Sequence, residues 1–145
     1  MAFVYESALI TAPPADVWKI VGKFEGLNLW VPAVRSAVLA AGNDALKAGA
    51  RREVITRDGA RTIETLIDRR EAERTLTYRA VETTLPMQNY EARITLLPAT
   101  LSGDSFVVWH GSFDAEPAYE ISLKNLTAAA YRTGLIQLQR RFAGG

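Results

Sequence analysis

At 145 residues the chain is close to the commonest length of one domain, and a single domain over residues 1–145 is expected. It contains no cysteine, which excludes disulfide frameworks, cysteine-ligated metals and thiol nucleophiles. Lys and Arg (17) nearly balance Asp and Glu (16), leaving a formal charge of +1. The two signs interleave, as in the run Asp-Arg-Arg-Glu-Ala-Glu-Arg at 68–74, so the one-sided basic field of a nucleic-acid binder is missing.

The first residues, Met-Ala-Phe-Val-Tyr-Glu, carry neither the basic region nor the apolar core of a secretory signal. No stretch approaches the ~20 apolar residues of a membrane span. The expectation is a soluble, cytoplasmic protein without a membrane span.

Phe3 to Thr11 is β-rich and ends at Ala12-Pro13-Pro14, a pair that stops a strand and suits the first turn of a helix. Val17, Trp18, Ile20 and Val21 follow at helical spacing, with Gly22 closing the helix. A second short segment, Phe24 to Trp30, stops before Pro32.

From Val34 the pattern is that of strands. Asp58-Gly59 lies between two extended runs, Arg51 to Arg57 and Ala60 to Asp68, and predicts a hairpin. A charged turn at Glu71 to Glu73 precedes a strand at Thr75 to Glu82, which Leu85-Pro86 breaks. Asn89 to Leu97, a loop at Pro98 to Asp104, and Ser105 to Asp114 complete the run. The links are hairpin-short, so the sheet is antiparallel.

Alternation shows which face is dry. Leu76, Tyr78 and Ala80 oppose Thr77 and Arg79; Tyr90, Ala92, Ile94 and Leu96 oppose Glu91, Arg93 and Thr95. The last element, about Ala118 to Phe142, is a helix of about 38 Å that begins beside Pro117. Leu123, Leu126, Ala130, Tyr131, Gly134, Leu135, Leu138 and Phe142 form its apolar stripe. That stripe can be buried only on the dry face of the sheet.

One helix covers a strip of about 10 Å, too narrow for the inner face of a twisted sheet of about seven strands. The inner face carries Tyr78, Tyr90 and, on one reading of its strand, the carboxylate of Glu64, which are poor choices for a solid core and good ones for a lined pocket. Parity leaves Glu64 open, since it shares a face with Leu66 while Ile63 and Ile67 share the other. An interior carboxylate needs a partner, and Arg52 in the neighbouring hairpin strand can supply it. Trp18 belongs to the core of its helical stripe, whereas Trp30, just before a proline at the expected pocket mouth, fits core and lining equally.

Several short motifs in this order resemble the START and birch-pollen-allergen superfamily, also called SRPBCC, in its bacterial polyketide cyclase/dehydratase-like branch. They are Ala12-Pro13-Pro14-Ala15-Asp16-Val17-Trp18, Leu27-Asn28-Leu29-Trp30-Val31-Pro32, Asp58-Gly59 with Glu64-Thr65-Leu66, Leu85-Pro86 to Asn89-Tyr90, and Val107-Val108-Trp109 before the long helix. The resemblance spans essentially the whole chain. It implies an α+β helix-grip fold: a seven-stranded curved antiparallel sheet, two short helices and a long C-terminal helix around a hydrophobic cavity. It also implies a small hydrophobic ligand (lipid, isoprenoid or aromatic polyketide-like) or, in a minority of members, cyclase or hydrolase activity. Glu64 and Tyr90 match inward polar residues of the related plant hormone receptors, and His110 matches a further one. Strand parity favours Val107, Trp109 and Phe113 as the inner set; the resemblance places His110 inward instead, with Trp109 on the outer surface at a subunit contact.

The candidate ligand-binding set is therefore Trp30, Arg52, Glu64, Tyr78, Tyr90 and His110. One histidine and no cysteine leave no metal site, and neither a nucleophile elbow nor a phosphate-binding glycine loop occurs. No cofactor is expected. The readings carried forward are a binding module, a cyclase/dehydratase-like enzyme using Glu64 or His110 as acid or base, and a scaffold with an incidental cavity; a homodimer through exposed strand or loop surface is the expected assembly.

Overall fold

The computed structural model describes residues 1–144. Strand β1 (Ala2–Ile10) leads into helix α1 (Pro14–Val21) and a 3-10 segment (Phe24–Leu29). Six strands follow: β2 (Val34–Leu39), β3 (Arg51–Thr56), β4 (Arg61–Arg70), β5 (Thr75–Thr83), β6 (Gln88–Ala99) and β7 (Asp104–Asp114). Helix α2 (Pro117–Phe142) ends the chain. The strands form one antiparallel sheet in the order β1-β7-β6-β5-β4-β3-β2. This is the helix-grip arrangement that the motif order implied.

The pleat decides what is buried. Along β7 burial alternates without a break: Ser105, Val107, Trp109, Gly111 and Phe113 face inward. Ala92, Ile94 and Leu96 do so on β6, and Val4 and Ile10 on β1. Bulges curve the sheet, on β5 at Val81 opposite Ile63 and Glu64, on β4 between Leu66 and Asp68, and on β6 between Gln88 and Glu91. Asn89, inside the β6 bulge, takes a left-handed φ of 56°, a conformation that asparagine tolerates better than most residues.

Two strand ends lie beyond their expected limits. β4 runs on to Arg70 because Arg69 and Arg70 pair with Leu76 and Thr75. β6 continues through Pro98, which pairs with Ser105. The pairing with β5 stops at Thr95, so β6 has a free side there and a proline is tolerated.

Helix α2 lies chiefly along β1, with a smaller contact to β7. Leu123, Tyr131, Gly134, Leu135 and Leu138 are its buried residues. Gly134 lets α2 lie close against Trp30 and Val31, since a Cβ there would stand 3.2 Å from each side chain. Leu126, expected in the buried stripe, is 46% exposed, because the first half of α2 leaves the sheet and overhangs open space. No helix among the described residues is long and apolar enough to cross a membrane.

Candidate functional site

The space under the first half of α2 is a cavity of about 280 Å³. Leu126, Thr127, Ala130 and Tyr131 form its helical wall, and Val54, Glu64, Tyr78, Tyr90 and Trp109 its sheet wall. The β3–β4 turn at Asp58 and the β5–β6 link at Leu85 and Met87 frame the sides.

Glu64, Tyr78 and Tyr90 stand on this wall, as expected. Alternation along β4 puts Glu64, like Leu66, on the buried face. Arg52 lies behind the wall, directly across the β3–β4 ladder from Glu64. Its Nε donates to Glu64 Oε1 at 2.9 Å, and its Nη2 stands 2.8 Å from the same oxygen, off the line of a hydrogen bond. Nη1 donates to the Phe24 carbonyl. The guanidinium is also sandwiched between the Phe24 and Tyr78 rings, 4.2 and 4.6 Å from their centroids. With both partners at 5% exposure or less, the pair is retained because either charge alone would be far costlier.

Above this pair sits a cluster of phenols. Trp109 Nε1 donates to the Tyr78 hydroxyl at 3.2 Å; that hydroxyl lies 3.4 Å from Tyr90's, which in turn bonds that of Tyr131. The Trp109 and Tyr131 rings stack, 4.0 Å apart and 11° from parallel. Gly111 makes room for this arrangement, since a Cβ there would stand 2.5 Å from the Tyr131 hydroxyl oxygen. Burial, reinforced by the Glu64 charge and opposed by Arg52, pushes the Tyr78 hydroxyl up to about 12. Burial first, and then neighbouring phenols, push Tyr90 and Tyr131 well above the ordinary tyrosine value. All three are protonated donors at neutral pH.

Four sequence-based placements are corrected, the first being Arg52, which lies behind the cavity wall and does not line it. His110 is on the outer face of β7, beside the Phe3 ring at 5.9 Å, and Trp109 is inside at 2% exposure. Parity was right, and the resemblance was out of register by one residue, which on a strand reverses every side chain. Burial first, and Arg93's charge second, hold the His110 imidazole below its usual value. Trp30 is core: it packs against Trp109, 5.1 Å between centroids, and is absent from the cavity wall.

Trp109 and Tyr131 are the members of the hydrogen-bonded aromatic cluster that the candidate set lacks. The signal for Trp109 was its alternation with Val107 and Phe113; for Tyr131 it was a hydroxyl inside the apolar stripe of α2.

A family model described as polyketide cyclase/dehydrase and lipid transport matches residues 1–143. The structure of the protein XoxI from Bacillus cereus shares 30% identity, with a TM-score of 0.88 over 99% of this chain and 97% of that one. A Thermobifida fusca protein shares 30% identity, with a TM-score of 0.85 over 98% of this chain and 93% of its own. A START superfamily protein from Mycobacterium smegmatis has the same fold, with a TM-score of 0.77 at 16% identity over 97% of this chain and 96% of its own. No functionally curated protein matches the sequence.

Two predictions follow from the polar wall. Replacing Arg52 by Met strands the Glu64 carboxylate and should cost about 3–5 kcal/mol in urea unfolding, whereas Arg52→Met with Glu64→Leu should recover most of that loss. A single variant as stable as wild type, or a double variant showing only the sum of two losses, would contradict the reading of the pair. The buried phenols keep protons that the unfolded chain releases near pH about 10. The unfolded state then binds fewer protons, so stability falls as pH rises, for Tyr78 through the window from about 10 to about 12. Urea unfolding across that window should show a shallower fall in Tyr78→Phe than in wild type, and equal slopes would refute the assignment.

Proposed function

Because this chain belongs to the polyketide cyclase/dehydrase and lipid-transport family, we propose that it binds one small, neutral, largely apolar molecule in the cavity beneath α2. The observation that carries the reading is the chemistry of the wall. Apolar and aromatic side chains supply most of it; apart from Arg57 and Asp58 at the mouth, the polar groups are hydroxyls, the Trp109 indole and the Glu64 carboxylate, which is already tied to a guanidinium. Such a lining favours apolar compounds with a few fixed polar contacts. Arg57 is the basic residue on the wall; it stands at the mouth beside Asp58, with its Nε bonded to the Pro32 carbonyl. An anionic headgroup would find no unpaired cation deeper inside. The volume of about 280 Å³ falls just below the range of about 300–1,000 Å³ for ligand sites, which suits a ring system or short isoprenoid better than a two-chain lipid.

The cyclase-like alternative needs an acid or base on the substrate. His110 is on the far side of the sheet and cannot serve. Glu64 is on the wall, but Oε1 carries both contacts from Arg52, an arrangement suited to a fixed anchor more than to a group that cycles its proton. Binding therefore fits this geometry better than turnover.

Ala130→Trp would fill the cavity from the helix side, where Ala130 is already partly exposed. Titration with the neutral fluorophore N-phenyl-1-naphthylamine should show saturable binding to wild type and at least about a tenfold loss in the variant, with both proteins melting cooperatively. Equal binding by the two, or none by wild type, would overturn the proposal.

A further inference from the structure

The hydrogen-bonded chain on the deep wall of the cavity has one more proton to give than its own members can accept. Trp109 Nε1 can only donate, and each phenol has one proton to give. The chain from Trp109 through Tyr78 and Tyr90 to Tyr131 is joined by three hydrogen bonds. Those bonds engage the indole proton and two of the hydroxyl protons. Whichever way the protons are ordered, one O–H has no acceptor within the chain. Tyr78, Tyr90 and Tyr131 all line the cavity, so the leftover proton can be turned toward whatever occupies it.

A purely hydrocarbon occupant would bury that O–H unpaired, and an unpaired buried donor is costly. An oxygen that accepts without bringing a proton of its own satisfies it. A carboxylate would also accept, but the guanidinium of Arg52 is committed to Glu64 and Phe24, and a further negative charge would sit near the Glu64 carboxylate. The group that fits is an uncharged carbonyl.

Resting on the binding function proposed above, we infer that the cavity selects a neutral carbonyl compound, such as a ketone, quinone or lactone on a compact ring frame. Its oxygen takes the spare tyrosine proton, and its carbon skeleton lies against Val54, Leu126 and Ala130. Where an entering molecule shields the spare proton from solvent, such an oxygen supplies the bond that is lost, which hydrocarbon cannot do.

The test compares 1-tetralone with tetralin, which have the same fused-ring frame with and without a carbonyl, by calorimetric titration of wild type and of Tyr78→Phe/Tyr90→Phe/Tyr131→Phe. Water solvates the ketone better, so the informative quantity is the ratio of the two affinities in each protein, as in a double-mutant cycle. Wild type should bind tetralone at least as tightly as tetralin, and the triple variant should lower the ratio about tenfold or more. An unchanged ratio, with tetralin still bound, overturns this inference and leaves the apolar-binding function standing. Failure of wild type to bind either compound overturns both. If the triple variant does not fold, the infrared carbonyl stretch of tetralone bound to wild type decides alone. A stretch below its value in hexane supports the hydrogen bond, and a value equal to that in hexane refutes it.

Discussion

A single helix lies against a sheet wider than itself, and most of what is distinctive in this molecule follows from that mismatch. Seven strands at about 4.8 Å spacing give a sheet about 30 Å across, whereas α2 covers a strip of about 10 Å. The helix spends its buried residues on β1 and the neighbouring part of β7. Over β3, β4 and β5 the inner surface must be met by something else. Nearest β2 the 3-10 segment does this, with Phe24 and Leu27 buried. At the other end α1 packs on β6 and β7, and between these elements the sheet faces the cavity.

The residues placed on that uncovered surface are not those of a failed core. Arg52, Glu64 and Tyr78 are among its most buried side chains, and each is held by the others through ion pairing, hydrogen bonds or the stacking of guanidinium on rings. Such a network rigidifies when every member is partnered. The Arg52–Glu64 pair is balanced, and the phenols stay protonated, so the cavity floor presents fixed dipoles and little net charge. That is a floor for recognising a neutral molecule by shape and one or two directed bonds.

Tyr78 and Tyr90 were legible in the sequence because their strands alternate cleanly between apolar and charged residues, and a strand wetted on one face leaves no choice of side. Glu64 was harder. Its strand has isoleucines on the opposite parity, and two bulges interrupt the register, so the pattern alone left it undecided and the family resemblance was needed. At His110 the resemblance misled, since a shift of one position exchanges inside for outside and Val107, Trp109 and Phe113 already marked the buried set. The reach of Tyr131 to Tyr90 across the cavity joins residues 41 apart in the chain and depends on the missing side chain at Gly111. No local pattern encodes such a meeting.

The central claim, that α2 leaves unfilled apolar space against the sheet, is most directly tested by diffraction from crystals of the ligand-free protein under xenon pressure, because dry apolar cavities take up xenon. The account predicts xenon density between Leu126 and Ala130 on the helix and Val54 on the sheet, lost in Ala130→Trp. A wild-type map with that region packed solid by the chain's own side chains, and no bound xenon, would contradict it.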